Sequence, residues 1–445
     1  MTSTADASHN NGRTWCIRSV TTLAVVLQML VGVSGISAAS AAATYFNVTN
    51  YGAVGNGHTD NTAAFAAAIA AADKAGGGEV YVPPGTYAFR ESLPRGGASI
   101  QLNGTNPISL IGAGRNTTSL VEQVKYQPLL LDLDNGSIVQ HLSLNSLKYT
   151  GGRVLTVRAN DTLVQYDDIL GANYVGPIGG GTAPPNGTPF AVYYSGPLDA
   201  QPTDPTYNVG NRVLDDSIYD GVNNDGFSFA FQEEGEIAND SHLGSRLALY
   251  VDKDVTVLDY TYTPNPLCTT VAENGFWITA PSDQILIKNF VSSGAGGIIG
   301  GPSQTGMSYA ISIVGERLTT SGNYRLAVGN VDGLTVSHSV FGPDNFLKFY
   351  PTTTATGVVV SHTKLAGAMF LGTQGVPYAA VDVTFDDDRF TPFVFDSDPS
   401  ATFVLATAGA TTVDISSGSW DNKSGGFSSG IGATYRVKDL AGYPG

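Results

Sequence analysis

The sequence predicts an all-β fold: a single parallel β-helix, with short strands stacked rung upon rung behind one N-terminal helix. Three observations predict it. Short strand-like runs bounded by Asn, Asp and Gly recur through most of the chain. Echoes between them reach a spacing of 24 residues, as at His338 and His362 or Leu334 and Val358, and a period in the twenties suits one β-helical rung. The 445 residues exceed one ordinary globular core, a limit that a solenoid escapes because each rung packs only against its neighbours.

Residues 1–43 read as an export leader. Arg13 and Arg18 supply a positive region, and Leu23 to Val33 is an apolar run too short for a membrane span. Ala39-Ser40-Ala41 and Ala41-Ala42-Ala43 both suit cleavage. The expectation is a secreted, extracellular protein with one domain over residues 44–445. Cys16 lies in the leader, so Cys268 alone remains, and no internal disulfide is expected.

The domain opens at Phe46. Ala63 to Ala75 is mostly alanine, the strongest helix former, and Asp60 or Thr62 stands where a cap belongs. Phe65 and Ile69, four apart, share one helix face. Gly76 to Gly78 ends the helix, and Glu79 to Val82 forms a strand stopped by Pro83 and Pro84. The stretches Tyr51-Gly52-Ala53-Val54-Gly55-Asn56-Gly57, Thr59-Asp60-Asn61-Thr62-Ala63-Ala64-Phe65 and Val80-Tyr81-Val82-Pro83-Pro84-Gly85-Thr86-Tyr87 resemble the opening segment of the pectate-lyase-like superfamily, as seen in its rhamnogalacturonase/epimerase-like and polygalacturonase-like members. The resemblance implies a single-stranded right-handed parallel β-helix (pectin-lyase-like), with the short α-helix capping its N-terminal end. It does not choose a reaction, since hydrolases, lyases, epimerases and phage tail proteins look similar here.

Strand-like runs follow at Ile108 to Ile111, Pro128 to Asp132, Ile138 to Leu144, Val154 to Val157 and Thr162 to Tyr166. Residues 174–211, rich in Pro and Gly, read as a loop inserted in the solenoid. After it, Asp225 to Phe229 is echoed at Asn274 to Ile278, Asn345 to Phe349, Gly367 to Leu371 and Pro392 to Phe395. A second strand family comprises Val255 to Val257, Gln284 to Ile287, Leu334 to His338 and Val358 to His362. Stacking of rungs makes His338 and His362 a surface pair rather than a metal site. The tail from Thr411 keeps β character but loses the rhythm, as a cover for the last rung.

Composition excludes some functions. The chain has 22 Lys and Arg against 38 Asp and Glu, a formal net charge of −16. Such a surface repels nucleic acid and anionic lipid, and the few basic residues argue mildly against a strongly anionic polymer. No membrane insertion, metal or cofactor is expected, and the protein is expected to be a monomer or a weak homo-oligomer.

Carboxylates and aromatics carry the functional signal. Glycosidic hydrolysis needs two carboxylic acids, and residues at one position of nearby rungs line one face. Asp225, Glu273 and Asp344 recur just before Phe227, Phe276 and Phe346, so they are the candidate catalytic residues, Asp344 suiting substrate binding better than reaction. Asn224-Asp225-Gly226 resembles the Asn-Thr-Asp-Gly signature of polygalacturonase-like glycoside hydrolases, with Asp225 on its catalytic aspartate. The Gly-Asp-Asp, Gly-His-Gly and Arg-Ile-Lys stretches of that family are missing, so its pectin specificity does not carry over. Tyr250, Tyr260, Tyr262, Trp277 and Tyr309 are rings that can stack on sugars, although an interior ladder is the alternative, and the side on which Trp277 lies is open. Arg246, Arg325 and Lys348 can neutralise a uronate. The candidate substrate-binding set is Arg246, Tyr250, Trp277, Tyr309, Arg325 and Lys348. The leading reading is a secreted glycoside hydrolase acting on a polysaccharide or oligosaccharide. The alternatives are a lyase or epimerase of a uronate polymer, with Asp386 to Asp388 as candidate calcium ligands, and a non-catalytic glycan-binding or structural β-helix.

Overall fold

The computed structural model describes residues 45–94, 97–124, 127–146, 153–171, 191–220, 225–264, 274–301, 304, 306–318, 325–341, 346–350, 353–365, 380–390, 403–415, 418–420, 427–437 and 440–441. The strands form three long sheets of 15, 15 and 10 strands, and the chain visits them in turn. Glu236–Ala238 lies in the first sheet, Ser241–Gly244 in the second and Arg246–Tyr250 in the third, before Thr256–Leu258 returns to the first. Neighbours pair in parallel, as Glu236 does with Thr256, Thr256 with Leu286, Leu286 with Ser312, Ser312 with Thr335 and Thr335 with Val359. Those steps differ in length, and the last is the 24-residue spacing seen in the sequence. This is the parallel β-helix that the sequence predicts.

The opening segment folds as expected, with one change at the cap. The helix spans Thr62–Lys74 and packs against the first strands of the first and third sheets, burying Phe65 and Ile69. Asn61, not Asp60 or Thr62, takes the N-cap position, yet its side chain makes no cap bond. Its buried carboxamide instead accepts from Val54 N (2.8 Å) and donates to Thr59 O (2.8 Å) and Ala88 O (3.1 Å). Asp60 supplies the acceptor: its Oδ1 takes the Thr62 N–H at 3.1 Å and the Thr62 hydroxyl at 2.7 Å.

The corner between the first and second sheets explains why Ile138 to Leu144 is not one strand. Ile138–Gln140 belongs to the first sheet and Ser143–Asn145 to the second. His141, at φ 61°, turns the chain between them, and Leu142 enters the core. The same left-handed position recurs at Tyr166, Asp215, Asn239, Asp259, Asn289, Gly315, His338, His362 and Asp387. Asn, Asp, His and Gly tolerate it best, and one such residue turns the chain from the first sheet into the second without a long loop. His338 and His362 stack with ring centroids 5.0 Å apart and planes 2° apart, the surface pair that was expected.

Alternate strand residues point inward and stack in columns. The third sheet's run is Leu130, Leu155, Val192, Phe227, Leu247 and Phe276, all buried. Gly297 follows Phe276 because a Cβ there would lie 2.1 Å from the Phe276 ring. Each corner also carries a polar column inside. Asp167, Asp216 and Asp240 sit one per rung, and each accepts a backbone N–H from the rung before: Leu142 N at 2.6 Å, Asp167 N at 2.6 Å and Asp216 N at 2.7 Å. Ser339, Thr363 and Asp388 repeat the device toward the C-terminus. Burial pushes all three aspartates of the first group up, the charge of Asp216 adding to it at Asp167 and Asp240 and those of Asp215 and Asp168 at Asp216, and their second oxygens have no partner among the described residues. A carboxyl that burial disposes to stay neutral still accepts the backbone N–H on one oxygen.

Three further expectations meet the structure differently. The chain re-enters the third sheet at Val192–Tyr194, inside the span read as a loop. The tail keeps the rhythm: Phe403–Ile415 and Phe427–Val437 continue the first sheet, and Gly418–Trp420 and Leu440–Ala441 the second. The Asp386 to Asp388 run is split by its corner, with Asp387 outside and Asp388 buried in the inner column. The echoes at Gly367 to Leu371 and Pro392 to Phe395 lie outside the described residues, as does Cys268.

Candidate functional site on the third sheet

The third sheet runs through Ile100–Leu102, Leu130–Asp132, Leu155–Val157, Val192–Tyr194, Asp225–Ala230, Arg246–Tyr250, Asn274–Thr279, Gly296–Ile299, Arg325–Val328 and Phe346–Phe349. With Phe227, Phe229, Phe276 and Ile278 inside, the residues between them form the outer column. In register it reads Thr156, Tyr193, Ser228, Ala248, Trp277, Ile298 and Ala327, and Lys348 holds the next backbone position. Trp277 therefore faces outward, which settles the side left open by the sequence. Ser228 and Ala248 are small and buried despite facing out. In register they separate two large rings, Tyr193 and Trp277, three rungs apart, or roughly 14 Å at sheet spacing.

Each ring lies under a guanidinium. The Arg153 carbon is 4.1 Å from the Tyr193 ring centre, and the Arg246 carbon is 4.1 Å from that of Trp277. Both distances suit a cation–π contact. Burial lowers the Arg153 pKa, and the neighbouring charge of Arg158 adds to this while Tyr193 opposes it. Arg158 itself donates from Nε to Ser195 Oγ at 3.1 Å. Trp277 Nε1 is buried with no acceptor among the described residues.

Most of the predicted substrate-binding residues come together here. Arg246, Tyr250, Trp277, Arg325 and Lys348 all lie on third-sheet strands, and Tyr250 is exposed. Tyr309 does not join them. It stands in the first sheet, 49% exposed, beside the column of Glu233, Lys253 and Asp283. Tyr260 and Tyr262 are interior rungs rather than sugar platforms, because alternation turns both rings into the core. Asp225 is the first residue of its strand and pairs in register with Arg246. Glu273 and Asp344 lie outside the described residues. The register also aligns Leu347, not Phe346, with Phe227 and Phe276, because glycine bulges at Gly226 and Gly275 each insert one residue. The sequence reading missed Arg153, Arg158 and Tyr193. Arg153 and Arg158 flank the strand Leu155–Val157, and Tyr193 sits 40 positions after Arg153, so only rung stacking brings them together.

A buried network stands behind the start of the Asp225 strand. Asp220 Oδ2 is 2.5 Å from His242 Nε2, and the Tyr260 hydroxyl is 2.9 Å from His242 Nδ1. Asp220 Oδ1 also accepts from Ser245 N and Ser245 Oγ, each at 2.9 Å. A Cβ on Gly226 would fall 1.8 Å from Asp220 Oδ2, so this carboxylate dictates glycine at the bulge. Burial, then the charges of Asp240 and Asp220, keeps the Tyr260 phenol well above its ordinary pKa. Among the described residues no three His, Cys, Asp or Glu group to hold a metal ion, and no helix is long and apolar enough to cross a membrane.

Comparison with known proteins bears on this frame. Residues 45–146 match the family model described as "Rhamnogalacturonase A/epimerase, pectate lyase-like". Over the whole solenoid, the tailspike protein 3 of bacteriophage CBA120 superposes with a TM-score of 0.51 at 12% identity, covering 90% of this chain and 62% of that one. The fold is the pectate-lyase-like parallel β-helix. Two relatives from Azotobacter vinelandii align with a part of this β-helix. Mannuronan C5-epimerase AlgE3 is 44% identical over 75 residues, which are 16% of this chain and 4% of the epimerase. Alginate lyase 7 is 43% identical over 75 residues, 16% of this chain and 8% of the lyase. The chain thus matches only a small part of either relative's length.

Proposed function

We propose that this β-helix is an exported enzyme that modifies a uronate-containing polysaccharide on the outer face of its third sheet. The observation that carries the proposal is the pair of guanidinium-covered rings, Arg153 on Tyr193 and Arg246 on Trp277, with the small residues Ser228 and Ala248 in register between them. Rings offer sugars a flat apolar face, and guanidinium groups pair with carboxylates through two parallel hydrogen bonds. The overall acidity of the chain gives way to this local concentration of arginine, since charges beyond a Debye length are screened. Two relatives whose names read mannuronan C5-epimerase and alginate lyase point to the same substrate class.

The chemistry follows from the substrate. A uronate C5–H is acidic because it lies next to the carboxyl carbon. Arg246 neutralises the carboxylate of the reacting residue and stabilises the charge that develops when the proton leaves, and Arg153 and Arg158, three rungs away, hold the carboxylate of another residue of the polymer. Asp225, in register with Arg246, is the proposed group that takes the proton. Return of a proton to the opposite face inverts C5. Departure of the 4-linked oxygen instead leaves a C4=C5 double bond and a new reducing end. Hydrolysis by Asp225 with Glu273 is the second reading, favoured by the Asn224-Asp225-Gly226 stretch. Export through a leader at residues 1–43 is part of the proposal, and an intact-mass measurement of the secreted chain tests it.

One assay separates the reactions. The full chain is incubated in D2O with mannuronan, polygalacturonate and a neutral glucan. Deuterium at C5 without cleavage is epimerisation, ultraviolet absorbance of an unsaturated uronate is elimination, and reducing ends without absorbance are hydrolysis. Either of the first two supports the proposal. Cleavage of the neutral glucan alone overturns it in favour of the hydrolase reading, and no binding or turnover of any polymer overturns an enzymatic role.

A further inference from the structure

We propose that the corner between the first and second sheets carries a second glycan-binding site, built on the stacked rings of His141 and Tyr166 and the guanidinium of Arg115. It lies on a different edge of the solenoid from the third-sheet face. It rests on the reading above that the ligand is a uronate polysaccharide.

Where a non-glycine residue takes the left-handed corner position, its side chain points outward. At His141 and Tyr166 these side chains are rings, with centroids 5.3 Å apart and planes 6° apart. The rung before His141 offers only Gly112, Ala113 and Gly114 at this level, so the stack ends there. What stands in its place is a cleft of about 400 Å³ lined by residues 113–117, His141 and Tyr166. Its floor is a fixed turn, with Thr117 N donating to Gly114 O at 2.9 Å and Gly114 N to His141 O at 3.1 Å. Arg115 borders it and is held in place: Nη1 donates to Asp215 O at 3.3 Å, and Nε is 3.8 Å from Asp168 Oδ1. Its side chain is still 38% exposed, and Tyr166 is 41% exposed.

A ring face, a guanidinium and the polar side chains of Asn116 and Thr117 are the groups that hold one uronate residue. An arginine separates this stack from the other one on the same corner. Each stack is followed by an aspartate at the next corner position, Asp215 after Tyr166 and Asp387 after His362, but of the two it is the His141–Tyr166 stack that has Arg115 at its open end, even though Arg115 also faces Asp168. A second site on another edge retains a long polymer between catalytic events, the effect of effective concentration.

The test uses the full chain with mannuronan in affinity gels, and with short mannuronate oligosaccharides followed by NMR of the imidazole signals. The variants R115Q and H141N/Y166N remove the guanidinium and the rings, and Asn keeps the left-handed turn. Retardation by the polymer is expected to weaken about fivefold in either variant, the scale of one lost ring contact. The His141 signals, identified by their loss in H141N, are expected to shift on oligosaccharide addition in the wild type and in W277A, and to stay still in R115Q. Equal retardation of wild type and both variants, or stationary His141 signals in a chain that the polymer retards, overturns the second site alone. A wild-type chain that no glycan retards overturns this site and the third-sheet reading together.

Discussion

Two corners of the same rung behave in opposite ways. Between the first and second sheets the chain spends two residues from Gln140 to Ser143, and again from Gln165 to Asp168, Leu214 to Ser217, Ala238 to Ser241 and Leu258 to Thr261. The first of the two is left-handed and faces out, and the second enters the core. Between the second and third sheets the spacing is irregular. One residue separates Gly244 from Arg246, but the connection is residues 221–224 with Asp220 before Asp225, residues 265–273 before Asn274, and residues 171–191 before Val192. On these rungs the constant corner fixes the register, whereas the earlier corner from Gly112 to Thr118 takes five residues, 113–117. The variable corner adds chain where it enters the third sheet, the face that gathers Arg153, Tyr193, Arg246 and Trp277. Rigid scaffolds hold their binding groups beside such additions.

The largest effect is expected from breaking the constancy. One glycine inserted between Asn239 and Asp240 moves Asp240 out of the inner column and slips the following strand by one residue, which exchanges its buried and exposed faces. Loss of the folded state, or a cost above about 4 kcal/mol by urea titration, is expected. Two glycines inserted within residues 265–273 are expected to cost under about 1 kcal/mol, because loop closure depends only weakly on length. Similar costs at both places would erase the distinction.

The inner column gives the next effect. Asp216→Ala leaves the Asp167 N–H without its acceptor and is expected to cost about 2–4 kcal/mol. Asp216→Asn keeps the acceptor and is expected to cost under about 1 kcal/mol. Denaturation of both variants at pH 5 checks the contrast, which a column held only by apolar packing would not produce.

The same column sets the pH dependence. Burial raises Asp167, Asp216 and Asp240, and it pushes Glu316 up to about 8 and Asp388 up to about 7. The folded state then binds more protons than the unfolded one between about pH 4 and pH 8, so stability is fullest in acid and falls as pH rises through that window. Thermal melts are expected to lose on the order of 5 °C from pH 5 to pH 8. A flat or rising profile would show that the inner carboxyls are ionised and paired.

The smallest effect on stability belongs to the open face. Trp277→Ala and Arg246→Ala are expected to change stability by under about 2 kcal/mol and to weaken mannuronate oligosaccharide binding about tenfold, near 1.4 kcal/mol. Calorimetric titration decides, and unchanged affinity in both variants removes the third-sheet site.

The repeat was legible in the sequence because a buried strand must be apolar at alternate positions, and Phe227, Phe276 and Val255 announce it. Corners were harder. The run from Ile138 to Leu144 carries no Gly or Pro at its turn, and Leu142 enters the core as a strand residue would, so only the extra residue between the buried Val139 and Leu142 marks the corner. The site was half legible. Arg246 and Trp277 were found because they neighbour clear strands, whereas Tyr193 was hidden in a Pro- and Gly-rich span and Arg153 stood 40 residues away. Tyr260 and Tyr262 took the interior alternative because His242, for Tyr260, and the Gly244 carbonyl, for Tyr262, satisfy their hydroxyls inside the core. Local spacing reports which residues are apolar, but register across insertions decides which polar residues meet.

The left-handed corner column has a consequence at the level of the gene. Apart from Gly315, the residues at these positions from His141 to Asp387 are His, Tyr, Asp or Asn. In the genetic code these four amino acids share their second base and the same choice of third, and they differ in the first base alone. A single nucleotide change at any such position therefore swaps a stacking ring for an amide or a charge on the outside of the solenoid, while every rung keeps its turn.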